Sequence, residues 1–186
     1  MEKVALNNVQ LDYLAGNHPK LSGMFYGTVP CDRLPRTLPT ETQYAFIVNT
    51  DPHDEPGTHW IALWVNGNVC EIMDSYGLPL KAYGTTAPLQ EWLDRHFKYQ
   101  LSSGKSLQSL FSQSCGGYAL MFLIDRANRK SIDYFLNKKN DYVNNDHKVG
   151  QMVKRLIERE VNWSKICETP CHQDTSGSSK GIVCCI

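Results

Sequence analysis

The chain has 186 residues, of which 41% are hydrophobic and 20% charged, and its 19 basic and 19 acidic side chains give a formal net charge of zero. This composition is typical of a folded globular domain, and it excludes a disordered chain and a uniformly basic nucleic-acid binder. The sequence has no apolar run long enough to span a membrane, and its first residues lack the pattern of a secretory signal. We therefore expect a protein that is neither secreted nor inserted in a membrane.

The length suits one domain followed by a short tail. We predict a domain over residues 1–165 and a poorly ordered tail over residues 166–186, where Ser, Gly, Thr and Cys dominate. The number of cysteines is odd, seven in all, which favours a reducing compartment over a disulfide framework. The tail carries a Cys/His cluster whose spacing matches no common zinc pattern, so we expect no metal site. Its members are Cys167, Cys171, His172, Cys184 and Cys185.

The first half of the chain predicts one short helix and a set of strands. Residues 7–15 are predicted as a helix, the Pro-rich stretch TVPCDRLPRTLP as a loop, and residues 44–50 as a buried strand. The segments HWIALWV and VCEIMDS follow as two strands that Asn66-Gly67 would join as a two-residue turn.

The second half of the chain is predicted to be mainly helical. Residues 87–97 and 146–161 have the apolar spacing of amphipathic helices. Between them, a polar loop (SSGKSLQSLFSQS) leads into the segment CGGYALMFLIDRAN, which begins at Cys115. That segment is apolar nearly all round from Tyr118 to Ile124, as expected of a buried helix.

The predicted hairpin places a histidine beside a carboxylate. With Asn66-Gly67 as the turn, Val65 would pair with Asn68, and His59 would lie opposite Asp74, with Cβ atoms about 5 Å apart. A carboxylate at that distance orients an imidazole and stabilises its protonated form. The alternatives are a surface pair without a function, or a longer loop that shifts the register.

Cys115 opens the predicted buried helix and is followed by Gly116 and Gly117. A helix N-terminus carries partial positive charge that favours a thiolate, and the backbone N–H of the same cysteine can stabilise an oxyanion. The alternative is a buried, inert cysteine. A cysteine, a histidine and a carboxylate in one chain form the usual set for thiol catalysis.

These residues, in this order, resemble those of the adenovirus-type cysteine endopeptidases (adenain), whose superfamily includes the proteases of ubiquitin-like proteins. The matching text is GTHWIALWV around His59, Asp74 with the following SYG, an upstream glutamine and Cys115-Gly116. The stretch FYGTVPCDRLP also resembles the N-terminal region of that family. The resemblance covers residues 8–128 and implies an α+β fold, in which a small mixed sheet packs against a helix starting at the catalytic cysteine.

The resemblance implies a role for each residue. Cys115 would be the nucleophile, His59 the general base and then acid, and Asp74 the residue that orients His59. Gln108 would donate its amide to the oxyanion; Gln113 competes for this role, but Gln108 has the spacing of the family. Trp60 and Gly116 are candidates for substrate contact, with a purely structural role for Trp60 as the alternative.

The sequence also departs from the family. The acid is Asp74, whereas the adenovirus enzymes usually carry Glu. Mammalian adenovirus enzymes are activated by DNA and by a peptide disulfide-linked to a cysteine, but this chain is neutral overall and has Phe97 at that cysteine's position. We expect no required cofactor; DNA or a peptide activator is implied only by the resemblance, and a disulfide-linked one is disfavoured by Phe97.

The leading hypothesis is a monomeric endopeptidase that processes viral capsid or core precursors at small-residue, Gly-containing sites, in the virion and in the host nucleus or cytoplasm. The source would be a divergent virus or a virus-like transposon of the Maverick/Polinton type. The alternatives are a deconjugating protease for ubiquitin-like proteins and an inactive, protease-like binding module.

The zero net charge hides an uneven distribution. Residues 1–125 carry 8 basic and 12 acidic side chains, a net of −4, whereas residues 126–165 carry 10 and 5, a net of +5. Basic residues of the second segment are candidates for DNA contact, with solvated helix faces as the alternative. The candidates are Arg126, Arg129, Lys130, Lys154 and Arg155.

Overall fold

The computed structural model describes residues 5–136 and 141–159. Its elements, in chain order, are α1 (Asn8–Asn17), β1 (Phe25–Pro30), β2 (Gln43–Asn49), β3 (Trp60–Asn66), β4 (Val69–Met73), α2 (Ala87–His96), β5 (Tyr99–Ser102), α3 (Cys115–Ala127), α4 (Ile132–Leu136) and α5 (Tyr142–Arg159), with a 3₁₀ turn over Leu80–Tyr83. The predicted tail and the predicted boundary at residue 165 lie outside the described residues. No helix in the described ranges combines the length and the apolar character needed to cross a bilayer.

The five strands form one mixed sheet in the order β1-β2-β3-β4-β5. Among the three central strands, β3 is antiparallel to both β2 and β4, while each edge strand is parallel to the strand beside it. The parallel pairing of β4 and β5 requires a crossover, and α2 lies in that connection. The predicted α+β class with a small mixed sheet is thus confirmed.

The sheet is buried on both faces, which explains the unbroken apolar runs of β2 and β3. On one face, Trp60, Ala62 and Trp64 pack in a core that includes residues of α1, α3 and α5. On the other face, Ile61 and Leu63 belong to a second core that contains the apolar side of α2.

Helix α3 begins at Cys115 and is buried along most of its length, as predicted. Most of its side chains, including Tyr118 and Phe122, are inaccessible to solvent, because the helix lies between the sheet and the other helices. Its first residue is therefore held by a rigid element, which is the usual way to position a reactive side chain.

The predicted hairpin register is wrong by one step along each strand. The observed ladder pairs Asn66 with Val69 and Val65 with Cys70, so the turn residues are Gly67 and Asn68 rather than Asn66 and Gly67. Gly67 has φ +60°, and a positive φ at the first turn position is what glycine supplies in a II′ hairpin.

Two further boundaries differ from the prediction. Thr28 to Pro30, predicted as loop, end strand β1; proline is tolerated there because β1 is an edge strand with only one neighbour. Helix α5 begins at Tyr142 rather than Asp146, because the Asp141 side chain accepts a hydrogen bond from the Asn144 N–H (3.1 Å) and caps the helix. Strand β5 was not predicted.

Candidate active site

The open end of the β3–β4 hairpin brings His59 and Asp74 together. His59 immediately precedes β3 and Asp74 immediately follows β4. The shift in register moves Asp74 to a position diagonal to His59 but leaves both side chains on the same face, because side chains alternate with period two. The His59 Nε2 and Asp74 Oδ1 atoms are 2.7 Å apart, and both residues are buried.

The Asp74 carboxylate accepts hydrogen bonds on both oxygens. Oδ1 accepts from the His59 ring and from the Tyr76 N–H (3.0 Å); Oδ2 accepts from the Leu78 N–H (2.9 Å) and the Tyr83 hydroxyl (2.6 Å). Burial by itself would raise the pKa of Asp74, but the hydrogen bonds and charge of His59, with Tyr83 and the Tyr76 N–H, hold it below its ordinary value. Asp74 therefore stays ionised.

Two tyrosine rings stack on the imidazole of His59. The Tyr76 ring lies 4.7 Å from the imidazole centroid at an interplanar angle of 24°, and the Tyr83 ring lies 5.2 Å away at 16°. Aromatic faces attract a cation, so this stack favours the protonated ring and holds its plane. Burial and the hydrogen bond to Asp74 raise the pKa of Tyr83, which keeps its hydroxyl a donor.

Cys115 reaches the same imidazole from the start of α3. Its side chain hydrogen-bonds His59, and since Nε2 is occupied by Asp74, Nδ1 is the nitrogen left for the thiol. Burial lowers the pKa of His59, but the hydrogen bonds and negative charges of Asp74 and Cys115 outweigh it and raise the pKa to about 9. The arrangement favours an imidazolium between a carboxylate and a thiolate.

Gln108 lies in the loop that connects β5 to α3, residues 103–114, which we call the Gln108 loop. Gln108 is buried, and its Oε1 accepts a hydrogen bond from the Ser75 hydroxyl (2.6 Å). Its Nε2 donates to the Ser112 carbonyl (2.9 Å) and lies 3.4 Å from the Tyr76 hydroxyl. Gln113, the alternative in the sequence, is exposed.

The two weaker substrate-contact candidates face the core. Trp60 is 1% exposed and its indole N–H donates to the Leu6 carbonyl (3.1 Å). A Cβ at Gly116 would lie 3.3 Å from the Leu11 and Trp60 side chains, so the start of α3 packs closely against Trp60. This placement favours the structural alternative for Trp60; contact with a substrate stays a prediction for both residues.

The basic residues predicted as candidates for DNA contact differ in their surroundings. Arg126 pairs with Glu71 (2.8 Å) against the Trp64 ring, and Lys130 pairs with Asp125 (2.9 Å). These two cations are therefore already engaged with acidic partners. The remaining candidates are Arg129, which follows the end of α3 with φ +62°, and the exposed pair Lys154 and Arg155 on α5.

The cysteines and other possible metal ligands give no alternative chemistry in the described residues. Cys31, Cys70 and Cys115 are buried there and form no disulfide, and no group of three or more His, Cys, Asp or Glu side chains in this part of the chain is placed to hold a metal. Phe97, at the position of the activating cysteine in the resembled family, is buried in the second core. The Cys/His cluster of the tail lies outside the described part of the chain.

Sequence reasoning missed the residues that support the site. Tyr76 directly follows the pair Asp74-Ser75, so its proximity to the acid was available as a signal. Tyr83 had no signal, because it reaches Asp74 only through the 3₁₀ turn after β4. Ser103 also had no local signal, because it lies 29 residues after Asp74; its hydroxyl donates to the Asp74 carbonyl (3.0 Å) from the Gln108 loop.

The fold resembles that of a protease of known structure. Two solved structures of the ASFV pS273R protease resemble this chain. One has a TM-score of 0.54 and 14% sequence identity over 83% of this chain and 70% of that chain; the other has a TM-score of 0.42 and 20% identity over 62% of this chain and 44% of that chain. In the second comparison the match thus spans less than half of the solved chain. No family model and no curated protein matches the chain.

Proposed function

We propose that the chain is a cysteine endopeptidase that hydrolyses peptide bonds by a Cys115–His59–Asp74 mechanism. The observation that carries the proposal is the position of His59, hydrogen-bonded to Asp74 through Nε2 and to the Cys115 side chain through its remaining nitrogen. This is the arrangement that activates a thiol nucleophile and orients its base. The likeness of the fold to the ASFV pS273R protease supports the same class of protein.

The first half of the reaction forms a thioester. The Cys115 thiolate attacks the carbonyl carbon of the scissile bond, and the developing oxyanion accepts a hydrogen bond from the Cys115 N–H. The Gln108 amide is the second donor: the hydrogen that points towards the Tyr76 hydroxyl at 3.4 Å is the weakly bonded one, so it is available to the oxyanion. His59 then gives its Nδ1 proton to the leaving amine as the C–N bond breaks.

The second half releases the acyl group. Neutral His59 takes a proton from a water molecule, which attacks the thioester carbonyl, and the Cys115 thiolate leaves with the electron pair of the C–S bond. The proton returns the imidazole to its charged form, which Asp74 and the two tyrosine faces stabilise. The products are a carboxylic acid and an amine, and the enzyme ends in the state in which it began.

We propose protein precursors of a viral capsid or core as substrates, cut next to small residues such as glycine. The basis is the resemblance of the sequence around His59 and Cys115 to adenain. In this proposal the enzyme works as a monomer, in the virion and in the host nucleus or cytoplasm.

The proposed activity is tested with a Gly-containing peptide library. We expect the wild type to cleave the library and Cys115→Ala to lose cleavage, because the methyl side chain of alanine offers no nucleophile. Turnover by Cys115→Ala at the wild-type rate would contradict the mechanism. Preferential hydrolysis of C-terminal ubiquitin-like substrates would replace the precursor proposal by the deconjugating alternative, and absence of selective alkylation at Cys115 would favour the binding module.

DNA as an activator is a separate proposal that rests on the net charge of +5 over residues 126–165. Lys154 and Arg155 are the candidates that carry it best, since they are exposed, whereas Arg126 and Lys130 are paired with acids. We expect DNA to raise the cleavage rate at low salt and to lose this effect steeply as salt rises. The Lys154→Ala/Arg155→Ala variant should weaken the stimulation, and a rate independent of DNA would contradict the proposal.

A further inference from the structure

The Gln108 loop is held from two sides by buried hydrogen bonds. On the side of β4, the N–H groups of Leu107 and Gln108 both donate to the Ser75 carbonyl, at 2.8 and 3.0 Å. The segment after β4 also carries Asp74 and Tyr76. These two hydrogen bonds therefore fix the Gln108 loop relative to Asp74, the residue that hydrogen-bonds His59. The other side of the loop faces helix α5, which takes no direct part in the proposed chemistry.

Helix α5 contacts the loop through Asn145 and Asp146 in its first turns. The Asn145 amide donates to the Leu107 carbonyl (3.2 Å), and the Ser109 N–H donates to Asp146 Oδ2 (3.3 Å). These contacts lie on either side of Gln108. They join segments that are 37 and 38 residues apart in the chain.

Helix α3 completes the cluster through Tyr118, one turn after Cys115. The Tyr118 hydroxyl is 2.9 Å from both the Leu107 carbonyl and Asp146 Oδ1, and it has a single hydrogen to donate. Because Asn145 already donates to the Leu107 carbonyl, the Tyr118 hydrogen can go to Asp146. The Leu107 carbonyl and both oxygens of an ionised Asp146 then each accept a hydrogen bond.

We infer that Asp146 is a positioning residue for the proposed protease reaction: with Tyr118 and Asn145 it clamps the Gln108 loop, so that the Gln108 amide stands at the oxyanion position relative to Cys115. The expected effect on rate rests on the proposed function, whereas the hydrogen bonds that hold the Gln108 loop do not depend on it. Burial raises the pKa of Asp146 above its ordinary value, and the hydrogen bonds from Tyr118, the Ser109 N–H and the Ser112 side chain offset only part of that rise. These donors favour the ionised, accepting form of Asp146.

The clamp is tested with Asp146→Asn, which keeps the size of the side chain. The amide can still accept one hydrogen bond, but its NH₂ group then opposes either the Ser109 N–H or the Tyr118 hydroxyl hydrogen. We expect kcat for peptide cleavage to fall about tenfold to a hundredfold with KM within about twofold, because a misplaced oxyanion donor weakens transition-state stabilisation. Alkylation of Cys115 by iodoacetamide should keep its wild-type rate, because the Cys115–His59–Asp74 set is untouched.

Hydrogen exchange supplies a readout that does not need turnover. The Ser109 amide should exchange slowly in the wild type and at least about tenfold faster in Asp146→Asn, whereas amides of β3 should not change. Lys148→Ala, an exposed substitution on the same helix, is the matched control and should leave both exchange and kcat unchanged. Wild-type exchange and wild-type kcat in Asp146→Asn would overturn the inference.

Tyr118→Phe keeps the test decisive if Asp146→Asn fails to fold. This variant removes only the hydroxyl, and we expect it to lower kcat and to speed Ser109 exchange in the same direction as Asp146→Asn. The double variant should be little worse than the more affected single variant, since both act through one cluster. Fully multiplicative effects on kcat would overturn a shared clamp. If the wild type cleaves no peptide, the proposed function fails, while slow Ser109 exchange that depends on Asp146 still supports the clamp.

Discussion

At the scale of single residues, the proton on His59 decides how the site works. The Asp74 carboxylate accepts a hydrogen bond from His59 Nε2, and the Cys115 side chain hydrogen-bonds the same ring. The rings of Tyr76 and Tyr83 stack on the imidazole. Each contact stabilises the imidazolium more than the neutral ring, and together they outweigh the burial that disfavours charge. The ground state that this geometry favours is therefore an ion pair, in which the general acid of the proposed mechanism is already protonated.

This protonation state predicts the dependence of the cleavage rate on pH. The pKa of His59 is raised to about 9, so kcat/KM should fall on the alkaline side as the pH passes about 9, when the ring loses the proton that the leaving amine needs. On the acid side kcat/KM should fall as the thiolate is protonated. Both apparent values belong to the coupled Cys115–His59 pair.

Alkylation by iodoacetamide is the control for this profile. The alkylation reaction needs the thiolate but no proton donor, so its rate should fall only on the acid side. An alkylation rate that also falls above pH 9, or a cleavage rate that is flat down to about pH 4, would contradict the mechanism.

At the scale of elements, the site depends on the close approach of two loops. Gly77, after β4, has φ +69°, and a Cβ placed on it would lie 2.4 Å from the Lys105 carbonyl carbon in the Gln108 loop. Only a residue without a side chain allows this approach. The contact lies beside Ser75, whose carbonyl holds the same loop.

Gly77→Ala therefore tests whether the approach of these loops matters. We expect it to lower the free energy of unfolding by about 2–4 kcal/mol, which combines backbone strain with overpacking, and to lower kcat by shifting Gln108. Gly84→Ala is the matched control: its φ is +74°, but no atom lies within 4 Å of the added Cβ, so it should cost only about 1 kcal/mol. Urea unfolding of both variants measures the difference, and equal losses would show that the clash is relieved at no cost.

At the scale of the whole molecule, one sheet joins two cores. Leu123 of α3 is fully buried in the core on one face, and Leu89 of α2 is fully buried in the core on the other. Both helices pack against strands of the same sheet. If the sheet unfolds, the apolar side chains of both cores are therefore exposed together. The described residues should therefore unfold as one cooperative unit.

Alanine substitutions on the two faces test this cooperativity. We expect Leu123→Ala and Leu89→Ala each to lower the free energy of unfolding by about 2–5 kcal/mol and to shift the same single transition, followed by both far-UV and near-UV circular dichroism. Leu110→Ala, at a position that is 78% exposed, should change the free energy of unfolding by less than about 0.5 kcal/mol. Two separated transitions in either core variant would contradict a shared cooperative unit.

The sequence alone determined the features that depend on local patterns. The helix that starts at Cys115 and the strands around His59 were predicted because apolar runs and a glycine turn are local signals. The proximity of His59 and Asp74 was predicted although the register was wrong, since a hairpin register shifted by one residue on each strand keeps the same side chains on one face. The assignment of Gln108 came from a resemblance, and the structure places it in the loop next to Cys115 without testing its role.

The tertiary structure decided the contacts between segments that are distant in the chain. Tyr83 on Asp74, Asp146 on the Gln108 loop and Arg126 on Glu71 each join elements whose relative position depends on the packing of the whole sheet and its helices. No periodicity in the sequence marks such pairs, because a polar side chain that will be buried by a distant element looks locally like an exposed one. For the same reason the charge of residues 126–165 could be counted from the sequence, whereas the cations already paired with acids could be recognised only in the folded chain.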